Sequence, residues 1–179
     1  PIPYRMTPRK LYIATSGFEA ARRVEILPLD HPSHRVHGHS FIAKVRSEVP
    51  DGYSAFPGGE VLALKENLDR CIEPLNYNDL NRHLSIPTDE NLARWVQDRL
   101  LDLPIHTVGI QSTAHQGADL DQNDHVHIWR RFRFEAAHKL PNVPLGHQCG
   151  RLHGHGFEVI LHANQDINAL EMGIDFDQL

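Results

Sequence analysis

His138, His153 and His155 are the residues of this sequence best suited to hold a metal ion. His153 and His155 are two apart, so on a strand both imidazoles project from one face. Gly154 between them leaves the opposite face open to close backbone approach. His138 sits near the end of the preceding predicted strand, and strand pairing can set it beside the other two. Three neutral imidazoles with a vacant fourth position describe a catalytic zinc site, in which the metal acts as a Lewis acid on a substrate oxygen. A lone His-x-His is more often a solvated or hydrogen-bonded pair, and it is the third histidine that turns the pattern into a ligand set. Cys149 lies four residues before His153. As a fourth ligand it would close the site and make it structural. Held near the metal but unbound, its thiol would be a usable proton acceptor, because nearby positive charge favours the thiolate. An inert buried cysteine is the third reading.

The pattern occurs twice. Phe18 to Phe41 aligns without a gap on Phe134 to Phe157 at an offset of 116 residues, with 12 of 24 positions identical. Phe18/Phe134, Arg35/Arg151, His37/His153, His39/His155 and Phe41/Phe157 are among the matches. Compositional bias would not keep a gapless register across a loop, so a duplicated unit of ordinary domain size is expected. The expected division is a first unit at 11–129 and the front half of a second at 130–179. Only 46 residues run from Phe134 to Leu179, and Asp175 to Leu179 mirrors Glu60 to Leu64 at the start of a predicted helix. The chain therefore reads as a fragment, or as one whose tail is not represented. The first copy keeps His37 and His39, but Arg22 stands in the place of His138 and Ser33 in the place of Cys149. A guanidinium has no lone pair for a cation and adds positive charge, so the first site is expected to hold no metal.

The elements that must position these residues follow from periodicity. Leu11 to Ala21 reads as a strand, followed by a Pro/His/Asp-rich loop at 28–36 and a second strand from His37 to Val49, where Phe41, Ala43 and Val45 alternate with Ile42, Lys44 and Arg46. Pro-Asp-Gly and Pro-Gly-Gly mark turns between Pro50 and Gly59. Val61 to Ile72 reads as a helix with Leu62, Leu64, Leu68 and Ile72 as its apolar stripe. Thr88 is the expected N-cap of a second helix, with Asp89 and Glu90 in its first turn and Leu92, Ala93, Val96 and Leu100 on its apolar face, flanked by Trp95 and Leu101. Ile105 to Gln111 and His125 to Phe132 read as the last two strands. The order ββααββ, with helices on one face of an antiparallel sheet, is an α+β architecture.

Composition narrows the setting. The chain has 179 residues, 18 Lys+Arg against 23 Asp+Glu, and a formal charge of −5. No apolar run approaches the roughly 20 residues of a membrane-spanning helix, and mild acidity argues against a nucleic-acid partner. Two cysteines, Cys71 and Cys149, make no disulfide framework, and the start lacks a signal-peptide layout, so a cytoplasmic home is expected. Of the 14 histidines, His125 and His127 share a strand face without a third partner, and His83, His106, His115 and His162 are isolated. Arg130, Arg131 and Arg133 read as a solvated strand connection.

Phe134-Glu135-Ala136-Ala137-His138 followed by Cys149-x-x-x-His153-Gly154-His155 and Phe157 resembles the signature of the 6-pyruvoyl-tetrahydropterin synthase family. That family includes the bacterial 6-carboxytetrahydropterin synthases of queuosine biosynthesis. The resemblance implies the tunnelling fold, assembly into homo-oligomeric rings with sites at subunit interfaces, zinc held by His138, His153 and His155, and Cys149 as the catalytic thiol. The implied reaction is a lyase step on a pterin triphosphate, 7,8-dihydroneopterin triphosphate, with elimination of triphosphate and a pyruvoyl or carboxy pterin as product.

The first unit departs from the family pattern. Leu75-Asn76-Tyr77-Asn78-Asp79-Leu80-Asn81 stands where the family has Leu-Asp-His-x-x-Leu-Asn, and Gln111 stands where the resemblance places a pterin-anchoring glutamate. Pro87-Thr88-Asp89-Glu90-Asn91 survives. Unit one thus reads as a scaffold or interface partner, with chemistry confined to unit two. The competing reading is a non-catalytic zinc-bearing protein of the same fold that binds a pterin- or purine-like ligand or serves as an assembly subunit.

Overall fold

The computed structural model describes residues 10–100, 102–165 and 172–179. Its first two strands, β1 (Tyr12–Arg22) and β2 (His37–Ser47), pair antiparallel along their full lengths. Alternation decides their faces: Ala14, Phe18 and Ala20 of β1 and Phe41, Ala43 and Val45 of β2 are buried, while Ile13 and Ile42 lie on the open face. Helix α1 (Glu60–Ile72) covers the buried face with Leu64, Leu68, Cys71 and Ile72. Leu62 does not belong to that stripe and is solvent-exposed. At 100° per residue, positions two apart diverge by more than half a turn, so Leu62 and Leu64 cannot share a face.

A short strand β3 (Asn78–Asp79) edges β1 in parallel, and α2 (Asp89–Gln97) follows. Thr88 caps α2 as expected, its hydroxyl accepting from the Asn91 amide at 3.4 Å. Leu92, Ala93, Trp95, Val96 and Leu100 are buried, and so are Asp89, Glu90, Asn91 and Arg94. Leu101 lies outside the described residues.

The last strands differ from the sequence expectation. β4 (Ile105–Thr113) turns into β5 (Gln116–Asp121), and this hairpin completes ββααββ. The segment expected as the fourth strand, His125 to Phe132, is instead the opening of β6 (Val126–His138), which runs unbroken across the expected 129/130 boundary. β5 was hidden by its polar face: Ala118 and Leu120 alternate with Asp119 and Asp121, too few apolar residues to signal a strand alone. β7 (His153–Gln165) pairs antiparallel with β6 and ends the sheet, whose order is β3-β1-β2-β4-β5-β6-β7.

Both helices lie on one side of this α+β sheet, over β1, β2, β4 and β5 and the start of β6, where Val126 and Ile128 are fully buried. Farther along β6 and β7 the same face is open, and Phe132, Phe134, Val159 and Leu161 are exposed. Asp175 caps a 3-10 turn at Phe176–Gln178, where the start of a helix was expected. No helix of the described residues is long and apolar enough to cross a membrane.

Candidate metal centre

The β6–β7 register sets His138 directly opposite His153 and Ala136 opposite His155. Strand alternation then puts all three imidazoles on one face, with ring centroids 4.7 Å (His138–His153), 4.9 Å (His138–His155) and 4.8 Å (His153–His155) apart. One ring nitrogen from each lies within 4.8 Å of the others. His138 and His155 are exposed and His153 half-buried, so a bound ion would remain open to solvent or substrate. Beneath them Phe157, stacked on Phe134 at 5.2 Å, makes an apolar floor.

Donor chemistry suits a cation. His153 Nδ1 lies 2.7 Å from the Arg151 carbonyl, which can only accept, so Nδ1 carries the proton and Nε2 presents its lone pair. The loop that returns the chain from β6 to β7 turns at Gly146, where φ is +86°. It then forms a 3-10 turn, in which the Cys149 amide donates to His147 Nδ1 at 3.1 Å and the Cys149 carbonyl accepts from the Leu140 amide at 2.8 Å. Cys149 is half-buried, unpaired with any other cysteine, and outside the cluster defined by the three histidines.

The first copy repeats this frame with a different occupant. Arg22 faces His37 and Ala20 faces His39 in the same register, His37 Nδ1 donates to the Arg35 carbonyl at 2.7 Å, and Phe18 stacks on Phe41 at 4.9 Å. The Arg22 guanidinium donates to Asp89 Oδ1 at 2.6 Å and to the Pro87 carbonyl at 3.0 Å, while the Ser112 hydroxyl donates to Asp89 Oδ2 at 2.7 Å. Both charged side chains are almost wholly buried, at 6% and 0% exposed. His39 is pushed down to about 4, first by burial and then by the positive charge of Arg22 and His37, with Asp89 opposing.

Gln111 lies on the sheet face away from these histidines, beside Ile42, Lys44 and Asp119. Its neighbour Ser112 faces the first site. The expected anchor position therefore lies on the face away from His37 and His39, because a shift of one residue reverses a strand side chain.

A second cluster, His31 with Asp175 and Asp177, escaped the sequence reading, which has no means of pairing residues so distant. Its carboxylate oxygens stand 3.4 Å and 4.0 Å from His31 Nε2. His31 Nδ1 accepts the Ser33 amide proton at 3.1 Å, so Nε2 bears the hydrogen and donates toward the carboxylates. In that tautomer Nε2 has no lone pair to offer a metal, and the contact with the two carboxylates is one of ion-pair range. Arg130 ties down the same segment through the Phe176 carbonyl at 2.6 Å and Asp177 at 3.1 Å.

Comparison with known proteins gives a family and several relatives. The family model for 6-pyruvoyl tetrahydropterin synthase matches residues 12–121 and 127–179. Dihydroneopterin monophosphate aldolase of Pyrococcus furiosus is 32% identical over 90 residues, which span 49% of this chain and 72% of that protein. Among solved structures, 6-pyruvoyl tetrahydropterin synthase of Caenorhabditis elegans aligns with a TM-score of 0.49 and 19% identity, covering 60% of this chain and 91% of that one. An uncharacterized protein of Wolinella succinogenes aligns with a TM-score of 0.42 and 14% identity, covering 63% and 99%.

Proposed function

This chain belongs to the 6-pyruvoyl tetrahydropterin synthase family, and from that premise we propose that it is a zinc-dependent lyase of pterin biosynthesis acting on 7,8-dihydroneopterin triphosphate. The observation that carries the proposal is the convergence of His138, His153 and His155 on one face of the β6–β7 hairpin. These three side chains would hold the ion, with His153 oriented by the Arg151 carbonyl. When bound, zinc supplies Lewis acidity toward the side-chain oxygens of the pterin. Cys149, whose backbone is fixed on both sides by hydrogen bonds, accepts a substrate proton and returns it, and triphosphate leaves.

Chemistry is confined to the second of two tandem units. The gapless repeat, the matched registers of the two hairpins and the two separate stretches of family match support that division. They favour a join in the turn at 122–125, ahead of β6. Assembly into a homo-oligomeric ring is part of the same proposal, supported by the family to which the chain belongs.

The experiment measures zinc per chain and turnover together. His153→Ala should leave the second unit without zinc, and retention at full stoichiometry overturns the ligand set. Cys149→Ala should keep zinc and lose turnover by about 100-fold or more; unchanged turnover removes the thiol from the mechanism. The similarity to an aldolase named for dihydroneopterin monophosphate supports a second reading, retro-aldol cleavage of the side chain. Supplying both phosphorylated pterins separates the two, since elimination releases free triphosphate whereas aldol cleavage releases a two-carbon aldehyde that still carries the phosphate. Pterin binding with no conversion of either would favour the non-catalytic reading.

A further inference from the structure

The first histidine pair keeps the geometry of a metal site but not its charge logic. β1 and β2 place residue 22 opposite His37 as β6 and β7 place His138 opposite His153. The His37 and His39 rings stand 5.0 Å apart, against 4.8 Å for His153 and His155. The carbonyl that orients the ring is kept as well, since His37 Nδ1 donates to the Arg35 carbonyl as His153 Nδ1 donates to that of Arg151. What differs is residue 22, whose guanidinium lies 5.1 Å over the Phe41 ring and is paired with the fully buried Asp89.

We propose that Arg22 is a built-in replacement for a divalent cation: it keeps metal out of the first site and locks β1 to the start of α2, and histidine at this one position would create a second zinc site. Three observations converge on this. The side chain contributes a permanent positive charge beside two imidazoles, so an arriving cation meets repulsion instead of a third lone pair. Asp89, the carboxylate paired with Arg22, is already committed at both oxygens, to Arg22 and to Ser112, and is not free to ligate a cation. Met172, Ile174 and Phe176 line the same small cavity as Arg22, His37 and His39, so the Arg22–Asp89 pair sits in a seam where β1, β2, α2 and the segment at 172–177 meet. The first site is thus a brace between β1, α2 and the segment at 172–177, not a second reaction centre.

The inference rests on the proposed ligand role of His138, His153 and His155 only for its comparison, and its test is separable from theirs. Purified full chain is equilibrated with zinc ion alone, and bound metal is counted per chain by elemental analysis. His153→Ala should bind no zinc. If it binds one equivalent that His37→Ala then abolishes, the first site takes metal despite Arg22 and the proposal is overturned. Arg22→His should gain one equivalent over its parent, and the gain should persist with His153→Ala and vanish with His37→Ala. Removing Arg22 leaves Asp89 buried without its partner, so Arg22→His is also paired with Asp89→Asn, which removes the orphaned charge. A folded double variant that gains no zinc sinks the proposal. Should the unsubstituted chain hold no zinc while Arg22→His gains one equivalent, the second-unit reading fails and this one stands.

Discussion

At His39, burial and the adjacent Arg22 guanidinium both oppose a second positive charge, and the imidazole is pushed down to about 4. The unfolded chain takes up this proton near the ordinary value of about 6.5. Between those limits the unfolded state binds more protons than the folded one, so the His39 contribution costs stability as pH falls from about 6.5 toward about 4 and is absent above that window. His39 should therefore keep the carbon and nitrogen chemical shifts of a neutral ring down to about pH 5, and a titration centred near 6.5 would contradict the packing described for this residue. The same scale explains why the two histidine clusters part company. One substitution, arginine for histidine, changes a lone-pair donor into a fixed cation, a difference visible in the sequence. Its consequence, the buried pair with Asp89, was not visible, since residue spacing does not say which carboxylate a side chain will meet.

Among the elements, the two hairpins offer a controlled comparison. Phe41 of β2 and Phe157 of β7 occupy equivalent positions, and each stacks on its own partner, Phe18 or Phe134. Phe18 is 3% exposed beneath the helices, whereas its counterpart Phe134 is 50% exposed. Phe18→Ala should cost about 3–5 kcal/mol in denaturant unfolding, and Phe134→Ala clearly less, because truncating a half-exposed ring leaves no sealed cavity. Equal costs would mean that the second hairpin is packed as the first is. Local signals located these strands within two residues and placed the Thr88 cap correctly, since both depend on alternation and on hydrogen bonds made within a few residues. They failed at β5, where Gly117 is required by tertiary approach. A Cβ there would meet the Ile110 carbonyl oxygen at 2.5 Å and the Trp129 ring at 2.7 Å.

Across the whole molecule, stability is graded along the sheet. β2, β4 and β5 are covered by helices, while among the described residues β6 beyond Arg131 pairs with β7 alone, and the hairpin of these two strands carries His138, His153 and His155 at its far end. Backbone amides of Val108 and Ile110 should exchange only on global opening, and the paired amides between Arg133 and His138 should exchange faster. Zinc should slow the second group and leave the first unchanged, as measured by hydrogen exchange with and without the ion; uniform protection would contradict this gradient. The sequence by itself determined the repeated motif, the pairing of His138 with a His-x-His strand, the first two strands and the two helices, and the loss of a ligand at position 22. Each of these is set by period-two alternation, by short-range capping or by residue type. Only the tertiary structure decided that Arg22 in β1 reaches Asp89 at the start of α2, 67 residues away. It alone also turned Gln111 to the far face and brought the segment at 172–177 to line the first cavity. Those outcomes depend on burial and on which distant groups are brought within hydrogen-bond reach, and no local period encodes them.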